Sequence, residues 1–234
     1  MRCCYCQNYK ISAQGLGKEI TIEKLAEIFL QLQINNVHNI NLVTPTIYVP
    51  SIIEAIIIAK QKGLKIPIIY NSSGYETVQT IEMLNGYIDI YMPDLKYAEN
   101  ELAIKYSNAS QYFEHATTAI KTMYNQVGEP IFNEEGILQR GVLIRHLILP
   151  NHTINTIKVL KWIKENLADN VLVSIMAQYF PTYNAKRIKD LNRKLTKREY
   201  KKVEDYLFEL ELRNGYIQIL EEDEEKYVPK FIYS

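Results

Sequence analysis

The sequence predicts an α/β fold in which parallel strands alternate with amphipathic helices in a single domain, residues 1–234. Three observations lead to this prediction. Short apolar runs rich in β-branched residues alternate with segments of helical periodicity. Prolines end several of these runs, and polar residues follow them. Hydrophobic residues make up 47% of the chain, which is enough for a full core. Such alternation favours a parallel sheet covered by helices.

The first half of the chain contains three strand-like runs. These runs are Asn39–Thr44, halted by Pro45, then Pro67–Tyr70, and Ile88–Met92, halted by Pro93. A helix is predicted before the first run, over Thr21–Leu32, because apolar residues recur on one face and Thr21 can cap it. The helices predicted between the runs are Ile52–Gln61, ended by Gly63, and Glu76–Asn85.

The second half continues the alternation and supplies two more parallel strands, which makes five in total. Ala98–Tyr124 holds one or two helices, and Glu129–Leu138 resembles a hairpin excursion. Thr196 and Glu199 form a capping box that starts a last helix, which runs to about Leu212. The remaining elements are the strand Val142–Leu149, closed by Pro150, the helix Thr153–Asn166, the strand Val171–Met176 and a solvated acidic tail at Glu221–Glu225.

Charge and cysteine usage exclude several classes of protein. Lys+Arg and Asp+Glu are both 27, so no global field attracts the chain to nucleic acid or anionic membrane. The longest apolar run, Ile52–Ala59, contains Glu54 and is too short to span a bilayer. Three cysteines at one terminus cannot form a disulfide framework, and no signal peptide precedes them. We therefore expect a reducing, cytoplasmic location.

Polar residues gather where the predicted strands end, which is where parallel barrels build their chemistry. They are Thr44 and Thr46, Asn71–Ser73, Asp94 and Lys96, Arg145 and His146, and Gln178. Arg145 lies among apolar residues, so it points into a site or into a buried pair. Because side chains alternate along a strand, His146 faces the opposite way and is predicted to be structural.

The three cysteines, Cys3, Cys4 and Cys6, lie within four residues, and the chain has no others. The Cys-x-x-Cys spacing of Cys3 and Cys6 suits zinc, a redox pair or an iron–sulfur cluster. A structural zinc site needs four ligands, and the four histidines are scattered. No strand precedes Cys3, as a thioredoxin-like pair would require. The cysteines alone support zinc and iron equally.

The stretch Cys3-Cys4-Tyr5-Cys6 resembles the second half of the radical S-adenosylmethionine signature, Cys-x-x-x-Cys-x-aromatic-Cys. Within that superfamily the chain resembles proteins related to pyruvate formate-lyase activating enzyme, and the likeness runs over its whole length. Further matching stretches, each at a strand end, are Asn41–Thr46, Tyr70–Tyr75, Met92–Tyr97, Gly141–Pro150 and Gln178–Pro181.

The resemblance implies a partial (β/α)6 TIM-like barrel of the radical S-adenosylmethionine type, with its first strand missing here. It implies a 4Fe–4S cluster on three cysteines and an open iron that binds S-adenosylmethionine. The implied reaction is reductive cleavage of S-adenosylmethionine to a 5′-deoxyadenosyl radical, which abstracts a hydrogen atom. The implied partners are a glycyl-radical enzyme as protein substrate and a flavodoxin- or ferredoxin-type electron donor.

Individual residues follow from the same resemblance. Cys3 and Cys6 match the second and third cluster ligands, and Tyr5 matches the aromatic residue that packs near the adenine. Asp94 and Lys96 match a motif beside S-adenosylmethionine, and Arg145 matches an arginine suited to a carboxylate. The positions that can hold a monovalent cation correspond to Asn71, Ser72, Met92 and Asp94.

Two features depart from the pattern. The first signature cysteine should lie four residues before Cys3, and the sequence has no such position. We therefore expect either that Met1 is an internal methionine mistaken for a start, or that the chain is a truncated paralogue. Thr44-Pro45-Thr46 stands where activating enzymes carry a glycine-rich acidic stretch that anchors the methionine amino group, so Thr44 is expected at the cofactor. The alternatives are an impaired paralogue with a binding or structural role, and a zinc or redox module.

Overall fold

The structure is a computed structural model, and it describes residues 1–212 and 214–217. The acidic tail predicted at Glu221–Glu225 lies outside the described residues. The chain divides into two compact units. Unit 1 comprises residues 1–18, residues 95–113 and the chain from residue 145 onward. Unit 2 comprises residues 19–94 and 114–144.

Helices account for most of the segments between the strands. In chain order they are α1 (Tyr9–Ser12), α2 (Ile22–Ile34), α3 (Val49–Gln61), α4 (Val78–Met83), α5 (Asn100–Ser107), α6 (Tyr112–Val127), α7 (Thr153–Asn166) and α8 (Lys197–Glu209). Short 3₁₀ helices cover Thr46–Tyr48 and Tyr183–Arg187. No helix in the described part of the chain is both long and apolar enough to cross a membrane.

The strands are predominantly parallel. In chain order they are β1 (Ile40–Val43), β2 (Ile68–Ser72), β3 (Ile90–Pro93), β4 (Ile131–Phe132), β5 (Leu138–Leu147), β6 (Leu172–Met176) and β7 (Gly215–Ile217). The mixed α/β fold with a mainly parallel sheet is the fold class that the sequence predicts.

Unit 2 contains the parallel order β1-β2-β3-β5, and β4 pairs antiparallel with β5. The register aligns Val43 with Asn71 on β1 and β2. It also aligns Ser72 with Pro93 on β2 and β3. Residues of β2 are buried along the whole strand, as expected for a parallel strand covered on both faces. This register brings the carboxyl ends of β1, β2 and β3 to one edge of the unit 2 sheet.

Unit 1 contains the end of β5 together with β6 and β7. The pairing of β5 with β6 continues beyond the end of β5, because the backbone N–H of Ile148 donates to the carbonyl of Met176. β7 pairs in parallel with β6, with Val173 opposite Gly215. Helices α7 and α8 pack on each other in this unit. Thus unit 1 also has its own parallel strands and helices.

Several local predictions are confirmed, and in two of them a side-chain cap fixes the start of the helix. The Thr21 hydroxyl accepts from the Lys24 N–H at the start of α2. Thr196 and Glu199 form the predicted capping box of α8. The bounds of α7 equal the predicted ones. Ala98–Tyr124 forms two helices, because Asn108 adopts a left-handed conformation that ends α5.

Other elements differ from the predictions for identifiable reasons. Helix α3 begins at Val49 rather than Ile52, since Pro50 is tolerated in the first helical turn. The predicted hairpin forms as β4 and β5, and it extends β5 back to Leu138. Within residues 1–212 and 214–217 the prediction of five parallel strands is one short, because β7 adds a sixth. Its three residues are too few to give a strand pattern, and pairing with β6 defines it.

Candidate functional site

The cysteine segment forms a turn that is held by backbone hydrogen bonds in unit 1. The N–H of Cys6 donates to the carbonyl of Cys3 at 3.2 Å. The N–H of Cys4 donates to the carbonyl of Tyr106 at 2.8 Å, which attaches the turn to the end of α5. The carbonyl of Cys4 accepts from the N–H of Ala185 at 2.8 Å. These bonds fix the direction of the cysteine side chains.

Cys3 and Cys6 line one cavity of about 120 Å³ in unit 1. Its remaining lining residues are Met1, Arg2, Ser12, Ala13, Tyr183 and Asn184. Cys4 is not among them, and burial, followed by the charge of Cys3, raises the pKa of its thiol to about 11. None of the three cysteines forms a disulfide. Cys3 and Cys6, the pair with the Cys-x-x-Cys spacing, therefore line the cavity, and Cys4 does not.

Hydroxyl groups contact both sulfur atoms. The Ser107 hydroxyl donates to Cys3 Sγ at 3.1 Å, and the Ser12 hydroxyl lies 3.4 Å from Cys6 Sγ. Hydrogen bonds to sulfur are among the features that tune iron–sulfur sites. The sequence does not reveal the Ser107 contact, since 104 residues separate the two side chains.

Tyr5 lies in a buried group of tyrosines in unit 1. Its hydroxyl is 2.6 Å from that of Tyr97, and its ring meets the edge of Tyr179 at a centroid distance of 6.1 Å. Burial raises the pKa values of Tyr5 and Tyr97 far above the ordinary value, so both stay protonated. Tyr5 is not among the residues that line the cavity.

The other predicted site residues of unit 1 are Lys96 and Arg145, both half-buried. The N–H of Lys96 donates to the Tyr112 hydroxyl at 2.9 Å, and the carbonyl of Arg145 accepts from the Leu95 N–H at 2.9 Å. Arg145 lies near the carboxyl end of β5. His146 is fully buried, and both ring nitrogens make hydrogen bonds, to the carbonyl of Leu95 and to Thr156. This arrangement agrees with the structural role predicted for His146.

Unit 2 brings together the other predicted residues at the carboxyl ends of β1, β2 and β3. The N–H of Thr44 donates to the Asn71 carbonyl at 2.8 Å, and the N–H of Asp94 donates to the Ser72 carbonyl at 3.0 Å. Asn71, Ser72 and Asp94 are buried, whereas Thr44 is exposed. Thr44 has φ of 53°, a strained conformation for a β-branched residue. Such strain is often found at functional turns.

Glu76 is a buried carboxylate of unit 2 that the sequence prediction missed. It is 3% exposed, and one oxygen accepts from the Thr46 hydroxyl at 2.7 Å. Among the described residues, neither Glu76 Oε2 nor the buried Tyr70 hydroxyl has a hydrogen-bond partner. Burial raises the pKa of the Glu76 carboxyl, and the Thr46 bond opposes that shift. The sequence analysis placed Glu76 at the start of a predicted helix. Its position after a polar segment was the only sequence feature that pointed to a site.

The thiols present fit an iron site in part. Within residues 1–212 and 214–217, no group of three or more His, Cys, Asp or Glu side chains is placed to hold a metal ion. Cys3 and Cys6 nevertheless line the same cavity, and thiolate pairs of this spacing suit iron or zinc. The chain therefore offers two thiolate ligands at one position.

Comparison with sequence families gives a match over the first part of the chain. Residues 1–133 match the family described as the Radical SAM superfamily. A curated relative, the uncharacterized protein MJ0674 of Methanocaldococcus jannaschii, is 33% identical over 211 residues, which is 86% of this chain and 57% of that protein.

Solved structures with similar folds include two proteins at 16% identity. One is SuiB of Streptococcus suis bound to the precursor peptide SuiA, with a TM-score of 0.61 over 93% of this chain and 46% of that chain. The other is the FeFe-hydrogenase maturase HydG of Carboxydothermus hydrogenoformans, with a TM-score of 0.62 over 92% and 49%. At this identity the likeness shows the fold alone. The chain spans about half the length of the proteins it matches.

Proposed function

The chain belongs to the radical SAM superfamily, and from this we propose that it takes part in reductive cleavage of S-adenosylmethionine and hydrogen-atom abstraction. The family implies a 4Fe–4S cluster and S-adenosylmethionine as cofactors. The observation that carries the proposal is the position of Cys3 and Cys6 on one cavity. A bound cluster would supply the electron that cleaves the sulfonium.

Cys3 and Cys6 would each hold iron through a thiolate. The backbone bonds of the turn orient them, because Cys4, between them, is attached to α5 and to Ala185. Ser12 and Ser107 place hydroxyls beside the two sulfurs. The third ligand is not among the described thiols on this cavity. In our proposal it comes from a cysteine four residues before Cys3.

Two side chains of unit 1 suit a charged group of S-adenosylmethionine. The cationic side chains of Lys96 and Arg145 match its carboxylate, and Arg can bind a carboxylate bidentately. Taken by itself, the buried carboxylate of Glu76 in unit 2 is suited to an ammonium ligand, which carries three N–H donors. Asp94 and the residues Asn71 and Ser72 at the carboxyl end of β2 provide oxygen atoms of the kind that bind a monovalent cation.

The substrate and partners belong to the same proposal. The resemblance to activating enzymes makes a protein glycine the hydrogen donor that we would test first, with a glycyl-radical enzyme as partner. A flavodoxin or ferredoxin would supply the electron. Cysteines that form no disulfide suit a reducing cytoplasm. Thr44-Pro45-Thr46 differs from the glycine-rich acidic stretch of activating enzymes, so a different substrate is the first alternative.

The test is anaerobic iron and sulfide reconstitution of two extended chains. One carries a cysteine four residues before Cys3, and its matched control carries serine there. We expect the cysteine chain to hold four irons and to form 5′-deoxyadenosine from S-adenosylmethionine with a reductant. The serine chain should hold less iron and form little product.

A second candidate is a chain that keeps the fold without the cluster chemistry. The pair of thiols on the cavity, in place of three, favours it. Metal analysis of the same two preparations separates the candidates. Zinc at one equivalent in both chains, with no 5′-deoxyadenosine, would overturn the radical proposal in favour of a zinc module.

A further inference from the structure

We propose that a basic surface of unit 1, formed by residues 186–202, binds an acidic segment of a partner protein. The inference goes beyond the proposed function and depends neither on a cluster nor on S-adenosylmethionine. Residues 186–202 contain nine Lys and Arg residues and two Asp and Glu residues, whereas the whole chain has 27 of each kind. The charge of the chain is therefore balanced in total but strongly positive over this segment.

The two acidic residues of the segment are already paired within unit 1. Both oxygens of Glu199 accept from Arg193, at 2.7 and 2.8 Å. Oδ2 of Asp190 lies 3.3 Å from Nζ of Lys105 on α5. The other cations of the segment are therefore not neutralised from within it. Six of them are exposed and have no ion-pair partner within residues 1–212 and 214–217, namely Lys186, Arg187, Lys189, Lys197, Arg198 and Lys202.

Hydrogen bonds to Asn151 hold the loop before α8 against the first turn of that helix. The Asn151 side chain donates to the carbonyl of Asp190 at 2.9 Å and accepts from Arg193 at 2.7 Å. Its backbone N–H donates to the Glu199 carboxylate at 2.7 Å. The backbone that carries the cations is thus fixed before any partner arrives, which reduces the entropy lost on binding.

Helix α8 carries four of these basic residues in its first two turns. Their spacing of one and four residues places them on one face of the helix, and they are Lys197, Arg198, Lys201 and Lys202. The buried residues of α8, Val203 and Leu207, lie on the opposite face. Cations near a helix N-terminus are unfavourable, because the positive end of the helix dipole lies there. An acidic partner would offset that cost.

The rest of the same face favours a protein over a nucleic acid as the partner. Asp205 lies 2.9 Å from Lys201, and Glu209 follows one turn later, so carboxylates succeed the cations. A phosphate backbone along the helix would meet these carboxylates. Phe208 is 65% exposed and lies seven residues after Lys201, on the same side of the helix. An exposed aromatic residue beside cations suits a protein segment with acidic and apolar side chains.

The alternative is a solvated basic face that has no partner. Such a face attracts any anion weakly, and every exposed cation of unit 1 contributes to that attraction equally. A docking surface instead makes the cations of α8 more important than other exposed cations. It also gives the apolar side chain of Phe208 a contribution that salt does not screen.

The experiment measures binding of a fluorescent glutamate-rich peptide that contains leucine, by anisotropy, to the 234-residue chain at low and high salt. The comparison probes are the same peptide with glutamine in place of glutamate, and a single-stranded RNA. The variants are Lys197→Glu/Arg198→Glu and Phe208→Ala. Lys10→Glu/Lys18→Glu is the matched control, since it changes the net charge equally at two exposed lysines of unit 1.

We expect the wild-type chain to bind the glutamate-rich peptide more tightly than either comparison probe, with an affinity that falls as salt rises. Lys197→Glu/Arg198→Glu should lower that affinity about tenfold or more, and the control should lower it less than about twofold. Glutamate in the first turn of a helix is favourable, so the variant should fold. Phe208→Ala should weaken binding and leave its salt dependence unchanged.

Three results would overturn the proposal. The first is no binding of the peptide, or an equal loss in the two double variants, which would indicate a solvated face. The second is tighter binding of the RNA. The third is peptide binding that appears only after the acidic residues of Glu221–Glu225 are replaced by amides, which would assign the surface to this chain's own acidic residues. Each result leaves the proposed radical chemistry unaffected.

Discussion

The Thr46 hydroxyl donates a hydrogen bond of 2.7 Å to one carboxylate oxygen of Glu76 within unit 2. The bond leaves Oε2 of Glu76 without a donor among the described residues, although the side chain is buried. A buried carboxylate with one unsatisfied oxygen is costly unless a cation or a donor reaches it. Thr46 thus holds Glu76 in a position suited to an ammonium ligand.

Glu76→Gln is expected to weaken S-adenosylmethionine binding by about ten- to a hundredfold, because it removes a charge-assisted hydrogen bond. Calorimetry under anaerobic conditions on the reconstituted chain measures the affinity. Glu82→Gln is the control, since Glu82 is exposed in the same unit. Unchanged affinity in Glu76→Gln would contradict a role for Glu76 in binding S-adenosylmethionine.

Lys96→Ala and Asp94→Asn are each expected to reduce the affinity for S-adenosylmethionine by about one to two decades. The Lys96 ammonium would otherwise offset the ligand carboxylate, and Asp94 would act through the ligand ammonium or a bound cation. Both variants should keep the fold, as circular dichroism will show. Lys161→Ala is the control, because Lys161 is 60% exposed and pairs only with Glu165 in the described structure. Wild-type affinity in both variants would remove Lys96 and Asp94 from the site.

Gly141→Ala is expected to destabilise the chain by about 2–4 kcal/mol. Gly141 has φ of +133°, and an added Cβ would lie 2.9 Å from Cα of Pro130, a backbone atom that cannot move aside easily. Urea unfolding followed by circular dichroism measures the loss. Gly17→Ala is the control, since nothing lies within 4 Å of its added Cβ. Similar stability in the two variants would show that the β4–β5 hairpin accommodates the added methyl group without loss of stability.

Glu199 makes the stability of unit 1 depend on pH. Both its oxygens accept from Arg193, at 2.7 and 2.8 Å, and this pairing lowers the pKa of its carboxyl from 4.5 to about 2. Because the folded pKa is below the unfolded one, the pairing stabilises the chain above about pH 4.5. That stability is lost as pH falls toward 2. We expect it to amount to about 1–3 kcal/mol.

The measurement for Glu199 is the free energy of unfolding at pH 7 and at pH 3 for the wild type and Glu199→Gln. The two proteins should differ at pH 7, and the difference should be smaller at pH 3 without vanishing, because the folded pKa is about 2. Glu204→Gln, which removes a more exposed partner of Lys201 on the same helix, should show a smaller difference at pH 7. A gap between wild type and Glu199→Gln that is constant with pH would contradict the assignment.

The sequence by itself determined the elements whose signals are local. Five of the parallel strands lie where β-branched runs end at proline or polar residues, and the Thr196–Glu199 box starts α8 as predicted. Periodicity and caps act over a few residues, so they can be found without knowing the fold. The cysteine segment, taken together with the further matching stretches at strand ends, likewise gave the resemblance to the superfamily that residues 1–133 match.

The tertiary structure alone decided which distant side chains meet. Thr46 and Glu76 are 30 residues apart, and Ser107 and Cys3 are 104 residues apart. Strand β7 is defined by its parallel pairing with β6, with Val173 opposite Gly215. Such contacts depend on strand register and helix packing, which no pattern in a short window encodes. For that reason the cysteines were evident in the sequence, whereas Glu76 and the Ser107 contact to Cys3 required the folded chain.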